Sequence, residues 1–336
     1  LKLPTDMHFA FSTPVSVLKR FCRAGHPTHT LRGAWRRLAA ILCGAAILLA
    51  GMPALAANLA AASAPSAPIA SAPAASAPAA TSTGLMLMPD GRLLAPEFAR
   101  IVSRGELVVA VLGVDQPPFF EEHDGHLSGV DIDIAREMAA KLGVKVSFNR
   151  DAKTYDGVVN LLASGQADLA ISKLSRTLSR AQVISFSAPY IRLHRALLLN
   201  RVKFAMLARG RTVPDVVRAF DSTIGVVRNS SYATYIGSNF PQAKVVPYPS
   251  WEDLLKALDA GEVTAAYRDE FEVKHVLKRD PTASLRLRVV TLEDLDDPIA
   301  IGVNVNAPTL LAFVNQFLAE RSKKIDVTTL LQASNN

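Results

Sequence analysis

The sequence predicts an α/β fold arranged as two lobes, each a mainly parallel sheet flanked by helices. Three observations predict it. Strand-like apolar runs alternate with amphipathic runs of helical spacing from residue 97 onward. Glycine or proline punctuates most of these transitions. The alternation also comes in two successive sets of similar size. Alternating β and α units bury a parallel sheet between helices.

The first set opens with a strand at residues 106–112 (ELVVAVL). Residues 131–142 (DIDIAREMAAKL) place Ile132, Ala135, Met138, Ala139 and Leu142 on one helical face, and Gly143 ends the run. A strand at 145–148, a helix at 155–164 stopped by Gly165, and strands at 169–172 and 196–200 complete the set. The second set reads strand 223–227, helix 232–239 before Pro241, strand 245–248, helix 251–260 before Gly261, strand 263–267 and helix 271–278. Strands at 285–290 and 299–305 follow, and Pro308 opens a last helix reaching 321.

The 336 residues suffice for two lobes and a targeting segment. A net charge of +7 hints at nucleic acid, but residues 1–37 carry seven Lys/Arg against Asp6 alone. The remaining 30 basic and 29 acidic residues nearly cancel, so no nucleic-acid partner is expected. Arg36 and Arg37 precede an apolar run over 38–49, then Ala54-Leu55-Ala56. That order of basic, apolar and small residues reads as a signal peptide over 1–56. Residues 38–57 are also just long enough to remain as an uncleaved anchor. Either way the body is expected outside the cytoplasm, in the periplasm. Both cysteines, Cys22 and Cys43, lie before the globular pattern, so the body is expected without thiols. Residues 57–84 are Ala, Pro and Ser with little else, and are expected to form an extended linker.

Six segments then resemble one known family in order and spacing. They are EFARIVSRGELVVAV (97–111), DQPPF (115–119), GHLSGVDIDIA (125–135), YDGVVNLLASGQAD (155–168), ISKLSRTLSRAQVISFSAPY (171–190) and LLKALDAGEVTAAYRD (254–269). Together they resemble the family-3 extracellular solute-binding proteins, the amino-acid receptors of ABC importers, over residues 98–319. The resemblance implies the two-lobed periplasmic-binding-protein fold with a two-strand hinge near 198–200 and 299–303. Lobe 1 is then 98–201 with 300–322, lobe 2 is 202–299, and 323–336 is a C-terminal tail. It also implies a small amino-acid or dicarboxylate ligand, an inner-membrane ABC permease as partner, a monomer, no cofactor and no enzymatic activity.

Residue roles follow from the matched positions. Arg180 matches the arginine that takes the ligand's carboxylate, a task suited to a planar fork of donors. Asp269 matches the aspartate that holds the α-ammonium, although a helix N-cap before Phe271 is the plainer reading. Tyr155 matches an aromatic packed on the ligand stem. Ser175 matches a hydroxyl donor, and Ser230 and Ser231 match a pair at a helix start facing the ligand. Two positions depart from the family pattern, and two more add charge. Gln116 replaces an aromatic and Lys173 a glycine, while Arg228 and Arg268 add charge near the cleft. Lys173, Arg180, Arg228 and Arg268 together favour an anionic ligand, unless they pair with Asp115, Glu121 or Glu122.

Other motifs suggest less. The run Glu121 to His126 resembles metal ligands, yet Asp124-Gly125 marks it as a hairpin turn, and no metal is expected. Asp131 and Asp133 read as acids complementing a helix dipole. Two alternatives to transport stay open: a tethered ligand sensor, and a cyclohexadienyl-dehydratase-like enzyme on the same fold. No peptidoglycan-cleaving domain is expected after residue 336.

Overall fold

A computed structural model describes residues 79–80 and 84–334. The signal segment, both cysteines and most of the linker lie outside the described residues. A small antiparallel sheet comes first, β1 (Ala79–Ala80), β2 (Met86–Leu87) and β3 (Leu93–Leu94). The end of the expected linker is therefore a strand. Extended Ala-rich backbone lies close to strand geometry and offers its N–H and C=O groups whatever its side chains.

Helix α1 (Pro96–Arg104) leads into β4 (Glu106–Ala110). The hairpin β5 (Glu121–His123) and β6 (His126–Ser128) turns at Asp124-Gly125. Helix α2 (Val130–Leu142), β7 (Lys145–Asn149), α3 (Tyr155–Ala163) and β8 (Leu169–Ala170) follow. Strands β7, β4 and β8 pair in parallel. Next comes β9 (Ile184–Asn200), then α4 (Arg201–Ala208), α5 (Val213–Arg218), β10 (Thr223–Val227), α6 (Ser231–Asn239), β11 (Lys244–Tyr248), α7 (Trp251–Asp259), β12 (Ala265–Asp269) and α8 (Glu270–Arg279). Strands β11, β10 and β12 are again parallel. Strand β13 (Leu287–Asn304), α9 (Pro308–Glu320) and α10 (Val327–Ala333) close the chain.

The two parallel sets join into one eight-stranded sheet, in the order β11-β10-β12-β9-β13-β8-β4-β7. The shared members β9 and β13 are antiparallel partners of 17 and 18 residues. Sequence periodicity sees only their apolar ends. Their middles carry Pro189, Pro298 and a run of charges, which read as loop. Register breaks next to both prolines and between Leu292 and Asp296, and bulges are where a strand tolerates proline.

The cores divide along this sheet. The largest surrounds β4, β8 and the 184–193 part of β9, and includes Ile299, Ile301 and Val303 of β13. Two further cores cover opposite faces of the rest. Leu197 and Leu199 pack with Phe220, Ile224 and Tyr267, while Ala196 and Leu198 pack with Leu254, Leu258 and Ala266. Successive strand residues point to opposite faces, so a central strand covered on both sides reads as the unbroken run ALLL. Residues 196–199 thus pack with the second set of elements, not with the first where the sequence boundary at 201 placed them. The expected C-terminal tail contains α10, whose Leu330 is buried in the first core.

Candidate ligand-binding site

A cavity of about 760 Å3 opens between the two sets of cores, beside the crossing of β9 and β13. All ten residues singled out from the sequence line it: Gln116, Tyr155, Lys173, Ser175, Arg180, Arg228, Ser230, Ser231, Arg268 and Asp269. Their arrangement follows from local structure.

Arg180 begins a 3-10 turn, Arg180–Gln182, and is buried. Its Nε donates to Asp156 Oδ1 (2.9 Å) and its Nη1 to the Ser175 carbonyl (3.1 Å), which fixes the guanidinium. The group stands 5.8 Å from the Tyr155 ring and also borders a smaller cavity of about 230 Å3. Tyr155 opens α3, whose N-cap is Thr154. Burial raises the Tyr155 hydroxyl above its usual range.

Ser230 caps α6, accepting from Ala233 N (3.3 Å) and donating to the Val227 carbonyl (2.6 Å). Ser231, the first residue of α6, meets Ser175 with hydroxyl oxygens 3.0 Å apart. The start of a nine-residue helix therefore touches Ser175 directly at the cavity wall, and such an end favours negative charge. Arg228 also lines the cavity and forms no ion pair among the described residues.

Lys173 has a left-handed backbone, φ 45°, and its N–H donates to Asp131 Oδ2 (2.6 Å). Its ammonium lies 2.7 Å from Glu272 Oε1 and 3.1 Å from Asp269 Oδ2, above the Phe119 and Phe271 rings. Asp269 is also the N-cap of α8, its Oδ1 accepting from Glu272 N (3.0 Å). Arg268 approaches Glu272 at 3.5 Å and Asp269 at 3.8 Å, and donates to Gln116 Oε1 (3.0 Å). Two buried acids and two buried bases thus balance. Burial alone would raise the Glu272 carboxyl, yet Lys173 and Arg268 hold it down at about 2. Burial opposes the charge on Lys173, but Asp269 and Glu272 outweigh it and raise its pKa. Of the four cations expected to be surplus, Lys173 and Arg268 are therefore neutralised locally. Asp115 and Glu122 pair instead with Arg150, at 2.6 and 2.7 Å.

Buried polar groups near the site were missed, or only partly read, in the sequence. Glu272 carries a faint signal, since an N-cap acid followed three residues later by Glu resembles a capping box. Asp131 is fully buried and also accepts from Tyr190 OH (2.7 Å), beyond its expected dipole role. Burial drives its carboxyl up to about 7 against these donors and the Lys173 charge. Asp297 is buried beside Pro298 and accepts at Oδ2 from Ser175 Oγ (3.0 Å) and from Tyr232 OH. Nothing local in the sequence marks it, because its partners stand far away along the chain.

The family model for bacterial extracellular solute-binding proteins, family 3, matches residues 107–333. The chain belongs to this family. It is 24% identical over 233 residues to ABC transporter arginine-binding protein 1 of Escherichia coli K12, covering 67% of this chain and 89% of that one. A Streptococcus pneumoniae amino acid ABC transporter substrate-binding protein, AbpA, solved with L-arginine, superposes with TM-score 0.54 at 25% identity, covering 69% of this chain and 95% of the other. An ancestral amino-acid-binding protein described as a precursor of cyclohexadienyl dehydratase shares the fold, with TM-score 0.56 at 24% identity, covering 70% and 97%. The two-lobed α/β architecture is that of these binding proteins. Among the described residues no helix is long and apolar enough to cross a membrane.

Proposed function

We propose that this family member captures a small amino-acid-like solute in the periplasm and presents it to an inner-membrane ABC importer. The lobes implied by the resemblance, with residues 196–199 moved to the second, close over the ligand about the paired strands β9 and β13. One observation carries the reading. Arg180 is buried, held by Asp156 and the Ser175 carbonyl, and borders a cavity also lined by Ser230 and Ser231 at the α6 N-terminus. A guanidinium fixed from behind, opposite a helix start, suits a carboxylate.

The acidic-ligand reading now rests on fewer charges. With Lys173 and Arg268 matched by Asp269 and Glu272, the cations left for a ligand are Arg228 and Arg180, the latter already bonded to Asp156 through Nε. An amino acid with a second carboxylate suits that pair best. Thermal unfolding of the purified protein against amino acids and dicarboxylates tests both levels. A ligand at a hundred times its dissociation constant adds about 2.7 kcal/mol of stability. L-Glutamate or L-aspartate is expected to raise Tm, and Arg180→Ala to weaken binding by about tenfold to a hundredfold. A neutral amino acid bound tenfold more tightly than glutamate would remove the acidic reading. No shift with any compound would remove the solute reading itself.

A further inference from the structure

The acid pair at the start of α8 already holds a cation of its own. Lys173 Nζ lies 2.7 Å from Glu272 Oε1 and 3.1 Å from Asp269 Oδ2, above the Phe119 and Phe271 rings. Two carboxylates and two aromatic faces around one ammonium make a complete receptor for that group. The Lys173 side chain is 4% exposed, and Arg268 also borders Glu272 at 3.5 Å. A solute's ammonium would have to break buried ion pairs to enter. Lys173 stands where the resemblance has a glycine, which carries no side chain to fill that place.

The other carboxylates lining the cavity are no more available. Asp115 pairs with Arg150 at 2.6 Å, and Asp259 and Asp280 both face Arg286, at 3.4 and 3.7 Å. Asp297 is 1% exposed, and its Oδ2 accepts from Ser175 and Tyr232. Glu252 forms no ion pair among the described residues, but it is exposed on α7, where water screens its charge. The cations differ. Lys153, Arg228 and Arg279 line the same cavity and form no ion pair among the described residues. The start of α6 favours negative charge as well. The cavity thus keeps receptors for anions open and its buried receptor for a cation filled.

We infer that Lys173 serves as a built-in ammonium, so that the preferred solute is a dicarboxylate without an α-amino group. The inference rests on the proposed carboxylate role of Arg180 and narrows the acidic-ligand reading. In an amino acid the α-ammonium stands one carbon from the carboxylate. With that carboxylate on Arg180, the ammonium would lose water and find no free buried acid to receive it, which weakens binding. An amine-free acid keeps the contacts of its carboxylates and avoids this cost. L-Glutamate therefore still binds, but less tightly than its amine-free counterpart, and Lys173 is the residue that sets the preference.

Isothermal titration of the purified protein with L-glutamate against glutarate, and L-aspartate against succinate, tests it. In at least one pair the amine-free acid is expected to bind about tenfold more tightly. A preference below threefold in both pairs overturns the inference. That comparison needs no variant and decides alone should a variant not fold. Lys173→Gly suits the left-handed backbone at φ 45° and frees Asp269 and Glu272, so it is expected to shift the preference toward the amino acid. An unchanged preference in a folded Lys173→Gly protein also overturns the inference. If amino acids bind and the amine-free acids do not, the carboxylate reading of Arg180 stands while this inference fails. If no compound of either kind binds, both fail together.

Discussion

Replacing Lys173 by methionine removes one charge from the buried quartet while keeping side-chain length and the left-handed backbone. The strain at φ 45° is common to both residues and cancels in the comparison. What remains is an imbalance. Asp269 and Glu272, with side chains 3% and 11% exposed, would share Arg268 alone, at 3.8 and 3.5 Å. Breaking a buried pair from one side costs about 3–5 kcal/mol, because the partner stays buried without its counter-ion. For a body of this size that lowers Tm by about 6–20 °C. Urea unfolding at pH 7 measures the loss directly. The pH dependence gives a second reading. Lys173 and Arg268 hold Glu272 at about 2, below its ordinary 4.5, so its stabilisation is present above 4.5 and lost as pH falls toward 2. In the variant a carboxylate regains its proton at higher pH, so the gap between the two proteins narrows on acidification. Adding Glu272→Gln to Lys173→Met is expected to restore most of the loss at pH 7, since the remaining acid then balances Arg268. A cost under about 1 kcal/mol for Lys173→Met, or the same cost in the Glu272→Gln background, refutes the reasoning.

Two further outcomes follow from buried groups near the site. Burial holds the Asp131 carboxyl at about 7, so the folded protein keeps a proton that the unfolded chain releases above its usual 3.8. Its contribution is fully present below 3.8 and is lost as pH rises to about 7, roughly 4 kcal/mol across the interval. Asp131→Asn should flatten urea-unfolding stability over that window, and an unchanged slope would count against the shift. Gly129 has φ 116°, and a Cβ there would lie 2.4 Å from the Phe119 carbonyl oxygen. Gly129→Ala should therefore cost about 2–3 kcal/mol in the same assay, and a neutral result would show that the loop before α2 can shift.

Much of the fold was legible because its determinants are local. Residues 223–227 read as a strand from five consecutive residues, and β10 spans the same five. Helices α3, α6 and α7 begin at Thr154, Ser230 and Ser250, each accepting a first-turn N–H. Such signals act within a turn or two and survive in a bare sequence. The middles of β9 and β13 were not legible, because prolines and charges there are tolerated only by pairing between residues about a hundred positions apart.

The site divides the same way. By itself the sequence determined which residue types line the cleft: the motif order brought Tyr155, Ser175, Arg180, Ser230 and Asp269 to one cavity. It could not assign their partners. Lys173 finds Glu272 across 99 residues, and Ser175 finds Asp297 across 122. Only the tertiary structure decided that Lys173 neutralises the acids at the start of α8 and that Asp297 keeps an unpaired oxygen. Ion pairs and hydrogen bonds act over a few ångströms, so which buried charges meet is set by how the sheet brings distant segments together.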